Sequence, residues 1–529
     1  MLNKHFFTQP AGKINTFLLF VFFSMVVYFL FWGLGYTEKN DPILFILSAL
    51  AGLFMAFNIG GNDVANSFGT SVGSKTLSVY QALLIAAIFE VSGAVIAGGE
   101  VTKTIRSGII QLNDLPISPR EFICLMTSAL FSAAFWLLFA SKKGLPVSTT
   151  HSIIGGIVGA ALLYGLMKFG TFAGAVKPVR WDKIVDIAAS WVLSPVLGGF
   201  LSFMLFKQVK KYVLDYNERM HLQLAQIKAE KKAYKENHKN HFEQLSDTQK
   251  VQMAEEMTHD AEIYAEDNFE PETLKSDYYK GLYQIEHKKK QIDAYRALRS
   301  WVPIIAAISA MMISSMLIFK GLKNMKFETD VVTNTLIILM IGSLAYLATF
   351  AYVKTAKRKD VHKTTFLVFS WLQVFSASGF AFSHGANDIA NAIGPFIAVI
   401  DTIKFNIINT QAGIPPIVML TFGVSLVVGL WFIGKEVIAT VGENIAKMHP
   451  ASGFSAELSA ATVVMGASVM GLPVSSTHIL VGAVCGIGLV NKDVNWKILK
   501  PIGMAWVITL PVAAIISAII FLMMKAIFC

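Results

Sequence analysis

An all-α, polytopic membrane fold is what this sequence predicts, and three observations predict it. Of the 529 residues, 54% are hydrophobic and only 15% charged, with a mean hydropathy of +0.55, so lipid is the solvent for most of the chain. Apolar runs of the length a hydrocarbon core demands, about 20 residues each, recur between residues 16 and 527. They amount to about twelve spans, several of them short or back to back, as broken or re-entrant helices are. Finally, a polar cassette occurs twice inside those runs: Asn-Asp-(Val/Ile)-Ala-Asn, then about ninety residues later Pro-Val-Ser-(Thr/Ser)-Thr-His.

The charges divide the chain. Residues 207–299 hold 17 Lys and Arg against 17 Asp and Glu, which cancel, leaving 28 basic and 18 acidic residues elsewhere to supply the whole net charge of +10. That segment, rich in Lys, Glu, Gln and Ala, reads as a mostly helical extramembrane insertion, at its simplest a solvated connection between two membrane halves. Lys207, Lys210 and Lys211 at one edge and Arg296 and Arg299 at the other place it in the cytoplasm by the positive-inside rule. The basic excess therefore reports topology, and no nucleic-acid partner is expected. The run from Thr16 to about Gly35 lacks a small-x-small cleavage pattern and reads as a retained helix rather than a signal peptide. Cys124, Cys485 and Cys529 have neither the spacing nor the surroundings of a disulfide framework or a zinc site. The expected organisation is an extra N-terminal helix over 1–40, a first repeat over 41–206, the insertion over 207–299, linking helices over 300–364 and a second repeat over 365–529.

Residues 57–75 resemble residues 382–400, and the later landmarks keep step: Asp63 precedes His151 by 88 residues and Asp388 precedes His478 by 90. A further echo, Gly99 to Thr104 against Lys435 to Thr440, lies between them in the same order. Duplicated halves of this kind are frequently inverted in the membrane, with a binding site at their interface near the midplane, and that arrangement is expected here.

Polar residues inside a bilayer are costly and need a reason. Asn62, Asp63 and Asn66, following Gly60 and Gly61, and their counterparts Asn387, Asp388 and Asn391 are hard oxygen donors where a helix is interrupted. They suit Na⁺, or H⁺ if the carboxylate is protonated. Pro146 and Pro473 fit the first turn of a helix, and Ser148, Thr149, Thr150, Ser475, Ser476 and Thr477 supply hydroxyls at its start. Two helix N-termini, each with free amides and partial positive charge, can embrace a tetrahedral oxyanion without a Lys or Arg at the bilayer centre. His151 and His478 add a donor or proton acceptor one turn in. Glu90 is a lone acid in an apolar span and has no counterpart between Ser425 and Gly429, which marks it as a candidate for cation or proton coupling. Plainer readings compete: small residues that merely let helices pack, a structural network around the Asn-Asp pairs, and core histidines. No catalytic residues or cofactor are expected, because a membrane phosphatase would need an Arg/Lys clamp near its histidines.

At these residues the sequence resembles the PiT family of inorganic phosphate transporters, whose signature is a Gly-Ala-Asn-Asp-Val-Ala-Asn motif in each half. Gly385 to Asn391 differs from it only by Ile389, and the first copy has Gly61 in place of Ala. The likeness extends over nearly the whole chain apart from the leading helix and the insertion. It implies import of phosphate by cation symport through a plasma membrane, a bacterial inner membrane in particular, and often a homodimer. By motif, Asp63, Asn66, Asp388 and Asn391 would hold the cations and the Ser/Thr helix starts the phosphate. The run from Asn62 to Thr70, together with Glu90, is similar to the Na⁺-coupled branch. A sulfate or other oxyanion permease of the same fold is the nearest alternative, and a phosphate sensor acting through the insertion a more remote one.

Overall fold

Long apolar stretches form helices because only a helix satisfies its own backbone in hydrocarbon, and the computed structural model is helical accordingly. It describes residues 11–112, 115–266, 269–322, 330–355, 360–408, 413–435, 437–438 and 447–529, among which there is no strand beyond one isolated bridge, Ile110 to Val179. The side chain of Asn66 and residues 436, 439 and 440 of the 435–440 echo lie outside the described residues. Eleven helices in the described part are long and apolar enough to cross a membrane. In chain order the first membrane set is α1 (Ala11–Tyr36), α2 (Pro42–Ile59), α3 (Ala65–Gly73), α4 (Val79–Ala97), α5 (Gly99–Ser107), α6 (Pro119–Lys142), α7 (Thr149–Phe169) and α8 (Trp181–Val209). The insertion carries α9 (Asp215–Gln244), α10 (Asp247–Tyr264) and α11 (Asp277–Gln291). Beyond it come α12 (Val302–Met316), α13 (Val331–Thr355), α14 (Val361–Asp388), α15 (Ala390–Phe405), α16 (Pro416–Ile433), α17 (Pro450–Val469), α18 (Ser476–Asn491) and α19 (Trp496–Phe528).

The chain forms two compact units, one of Met1–Lys207, Ala306–Ala345 and Phe366–Cys529, the other of Gln208–Ile305 and Tyr346–Thr365. In the first unit, α1, α8, α13 and α19 present exposed apolar side chains such as Phe20, Val192, Leu336 and Val507, the faces a bilayer covers. The helices bearing the duplicated motifs are buried behind them.

The repeats exchange equivalent contacts, as halves related by a two-fold rotation do. A Cβ on Gly60 of the first cassette would lie 1.7 Å from the carbonyl oxygen of Leu426, while one on Gly385 of the second would lie 2.1 Å from that of Glu90. Likewise Gly429 closes on the Phe57 carbonyl and Gly93 on that of Phe382. Only glycine permits such backbone approach between membrane helices. These reciprocal crossings, α2 with α16 and α14 with α4, pair Glu90 with Leu426 and His384 with Ile59 as equivalent positions.

In the second unit, the buried Asp260 carboxylate organises the turn between α10 and α11. It accepts from the backbone N–H of Lys275 (3.0 Å) and Ser276 (2.6 Å) and from the Ser276 hydroxyl (2.6 Å). Burial opposes its ionisation, but the Lys275 and Ser276 donors outweigh burial and hold it down to about 2, below the ordinary value of 3.8. A group lowered on folding stabilises above its unfolded value and ceases to do so as pH falls through the folded one. The insertion should therefore lose stability between pH 3.8 and about 2. Asp260→Asn should remove about 2 kcal/mol at neutral pH, seen as faster cleavage between α10 and α11 in limited proteolysis of the full chain.

Candidate functional site

The two helix starts are built by the same local chemistry. After α6 the chain enters the left-handed region at Gly144 (φ 65°), and after α17 it does so at Gly471 (φ 68°). Each end is a Schellman motif: Leu145 N–H donates to the Ala140 carbonyl (3.0 Å) and Gly144 N–H to that of Ser141 (2.9 Å), matched by Leu472 to Ala467 (2.9 Å) and Gly471 to Ser468 (3.1 Å). Leu-Pro then leads into α7 and α18. Their N-caps, Ser148 and Ser475, accept the N–H of His151 (3.1 Å) and His478 (3.2 Å). Each cap oxygen is used as an acceptor, so its proton remains for donation.

Asn62 and Asn387 fasten these loops to the cassette helices. Asn62 Nδ2 donates to Ser141 Oγ and the Leu145 carbonyl (both 3.0 Å), and its Oδ1 accepts from Val147 N–H (3.0 Å). Asn387 repeats the pattern with Ser468 Oγ (3.0 Å), the Leu472 carbonyl (3.2 Å) and Val474 N–H (3.3 Å). Ser468 reads in the sequence as an ordinary helix-packing residue, yet it and Ser141 sit at matched positions ten residues before His478 and His151; that spacing was the available signal.

The helix carrying the first cassette does not break at Gly60. It widens into a π-helical turn, Gly60–Val64, and continues as α3, a device common where a helix must re-aim side chains. In the second copy the regular pattern lapses only at Ile389, between α14 and α15. The ruptures that expose helix ends are those before Thr149 and Ser476.

Both helix starts converge on Asp63. Thr149 Oγ1 donates to its Oδ2 (2.5 Å) from the first repeat and Thr477 Oγ1 to its Oδ1 (2.7 Å) from the second. Asp388 accepts from the Ser476 hydroxyl. Asn391 reaches across to Thr149 Oγ1 (3.1 Å) and Thr150 Oγ1 (3.2 Å), and Thr150 donates to the Val474 carbonyl (2.9 Å). Asp63, His384 and Asp388 offer ligand atoms within 4.8 Å of one another. Asp388 Oδ1, Asn391 Oδ1 and Glu90 Oε1 are buried acceptors without a hydrogen-bond donor in the described structure. Unsatisfied hard oxygens beside two carboxylates fit a small cation.

The halves differ in one respect. His384 lies between two carboxylates, with Nδ1 2.7 Å from Glu90 Oε2 and Nε2 2.7 Å from Asp388 Oδ2. The equivalent positions in the other half are Ile59 and Leu426, so Asp63 has no such neighbour. His384 stands in the run Phe382-Ser383-His384-Gly385-Ala386-Asn387-Asp388, and its alignment with Ile59 signals the asymmetry. His151 and His478, by contrast, face away from the carboxylates: their rings meet at 4.6 Å, His151 against Trp191 (3.9 Å) and His478 against Trp506 (3.8 Å).

A further buried carboxylate, Glu457, carries no signal in the sequence. Glu457 of α17 accepts from Thr70 (2.7 Å) and Ser71 of α3 and from Gln373 (3.1 Å) and Ser376 (2.8 Å) of α14, binding both cassette helices to one acid. It sits near the start of an apolar run whose hydropathy masks it. Cys124 and Cys529, 405 residues apart, bring their sulfurs to 3.3 Å as free thiols.

A polytopic helical membrane protein whose two halves pool hydroxyls and carboxylates in one buried centre is built as transporters are. Residues 59–517 match the model of the phosphate transporter family, and the chain belongs to that family. It is 53% identical over 503 residues, covering 95% of this chain and 91% of the relative, to a Mycobacterium bovis protein named "Putative phosphate permease". A Pyrococcus furiosus protein of the same description is 32% identical over 497 residues, 92% of this chain and 98% of its own length. A solved structure described as a sodium-dependent phosphate transporter superposes with a TM-score of 0.66 at 31% identity, over 92% of this chain and all of that one.

Proposed function

We propose that this protein imports inorganic phosphate by symport with a cation, sodium in preference to protons, through the centre between its two halves. It does so across a bacterial inner membrane, with the insertion on the cytoplasmic side. The observation that carries the reading is that Thr149 and Thr477, hydroxyls at the two helix starts, both donate to Asp63. While the carboxylate holds those protons, they cannot serve an anion. A cation taken by Asp63 ligates the hydroxyl oxygens instead, and the hydroxyl protons turn towards phosphate alongside the free amides of α7 and α18. Binding of each ion then favours the other, because an oxyanion beside two buried carboxylates is repelled until positive charge arrives. Asn62 and Asn387 hold the loops that carry the donors, and the unsatisfied oxygens of Asp388, Asn391 and Glu90 supply further cation ligands. Inverted repeats related by the observed exchange of contacts would open the centre to either side in turn.

The reading is tested by uptake of labelled phosphate into proteoliposomes under a sodium gradient, a proton gradient, or neither, with excess sulfate as competitor. Sodium-driven accumulation that sulfate leaves intact is expected; no accumulation under either gradient, or its loss to sulfate, would sink the reading. Ser148→Ala with Thr149→Ala should raise the apparent phosphate KM about tenfold or more, the value of hydrogen bonds to a charged group, and an unchanged KM would remove the helix start from the anion site.

A further inference from the structure

We infer that the foot of the insertion holds a binding site for the headgroup of an anionic phospholipid. Within the second unit a cavity of about 500 Å³ is lined by Lys211, Arg219 and Arg296 and by no carboxylate. Its aromatic wall is Tyr212 stacked on Trp301, ring centroids 4.6 Å apart and 27° from parallel, with Lys211 Nζ 5.1 Å from the Tyr212 centroid. Asp293, an acid three residues before Arg296, is occupied by Arg299, so it does not neutralise the cluster. Asp215 and Glu218 share α9 with Arg219 but do not line the cavity.

The position of the cavity along the chain selects the ligand. Lys211 follows the apolar helix α8 by two residues and Trp301 immediately precedes the apolar helix α12, so both walls stand where a membrane span meets water. Basic and aromatic residues are common at that level as anchors and orientation signals. Anchors, however, spread around their helices, whereas these three cations from two separated stretches of chain converge on one cavity, the form in which basic pockets take lipid phosphate. Ile304, 42% exposed, lines the cavity beside the cations. An apolar edge on a cationic mouth matches an acyl chain below its phosphate; a soluble anion has no use for it.

Native mass spectrometry of the full-length protein in mixed phosphatidylglycerol and phosphatidylcholine micelles tests this. Wild type should retain phosphatidylglycerol selectively. The K211Q/R219Q/R296Q variant should retain it about tenfold less or weaker still with phosphatidylcholine unchanged, and K211R/R219K/R296K should keep it, since charge carries the effect. Should the neutral triple variant fold poorly, R296Q alone should show a loss of about fivefold. Equal retention by wild type and the neutral variants overturns the proposal. So does displacement of the lipid by millimolar inorganic phosphate or glycerol 3-phosphate, which would make the cavity a site for soluble anions.

Discussion

Asp63→Asn should reduce sodium-driven phosphate uptake by about a hundredfold or more, leaving a residual rate that sodium no longer stimulates. The substitution keeps the size of the side chain and an oxygen able to accept from Thr149 or Thr477, so the helix starts remain tied to the cassette. What it removes is the negative charge on which the coupling cation depends. Loss of one partner from a buried charge pair costs roughly 3–5 kcal/mol, which corresponds to about two to nearly four powers of ten in affinity. Initial uptake rates over a range of sodium concentrations provide the measurement. Half-saturation by sodium at the wild-type concentration would show that Asp63 is not a cation ligand, and the coupling proposed above would fail with it.

The second large effect is expected from the asymmetric pair. Glu90→Leu together with His384→Ile installs in one half the residues that the other half already carries at equivalent positions, Leu426 and Ile59. Replacing a buried ion pair by apolar residues of similar volume is often neutral or stabilising, whereas removing one partner leaves a buried charge uncompensated and costs roughly 3–5 kcal/mol. Each single change should therefore lower the melting temperature sharply, and the double change should recover part of the loss, since Asp388 still lacks its imidazole partner, while uptake by the double variant stays at least about tenfold below wild type. Stability and transport then separate, which is the mark of a pair retained for coupling. A double variant that transports at the wild-type rate would show that His384 and Glu90 only fill space.

Much of this molecule was legible in its sequence, because the signals are those a bilayer enforces. The spans follow from apolar length, and the duplication from recurrence of Asn-Asp and Ser-Thr-His at nearly equal spacing. The chemistry of the helix starts follows from proline and hydroxyl residues placed where free amides occur. The readings that changed are those in which the partner lies far along the chain. His151 and His478 recur at matched positions, yet their rings pack on tryptophans from α8 and α19. Asn62 and Asn387 look like cation ligands by type and proximity, but their amides brace the loops ahead of α7 and α18. Glu457 passes unnoticed in an apolar run because its four donors come from two helices remote in sequence.

Hydrophobicity and internal repetition, both properties of the chain read in order, determined that this protein spans a membrane in two related halves and carries paired polar cassettes. Tertiary structure alone decided that Thr477 of one half donates to Asp63 of the other, and that the His384 imidazole directly contacts Asp388 while Asp63 takes hydroxyl donors. The reason is physical: glycine crossings at Gly60, Gly93, Gly385 and Gly429 bring backbones close enough for residues hundreds of positions apart to share one buried centre. Once shared, a donor's role depends on which acceptor it meets, and no local pattern encodes that.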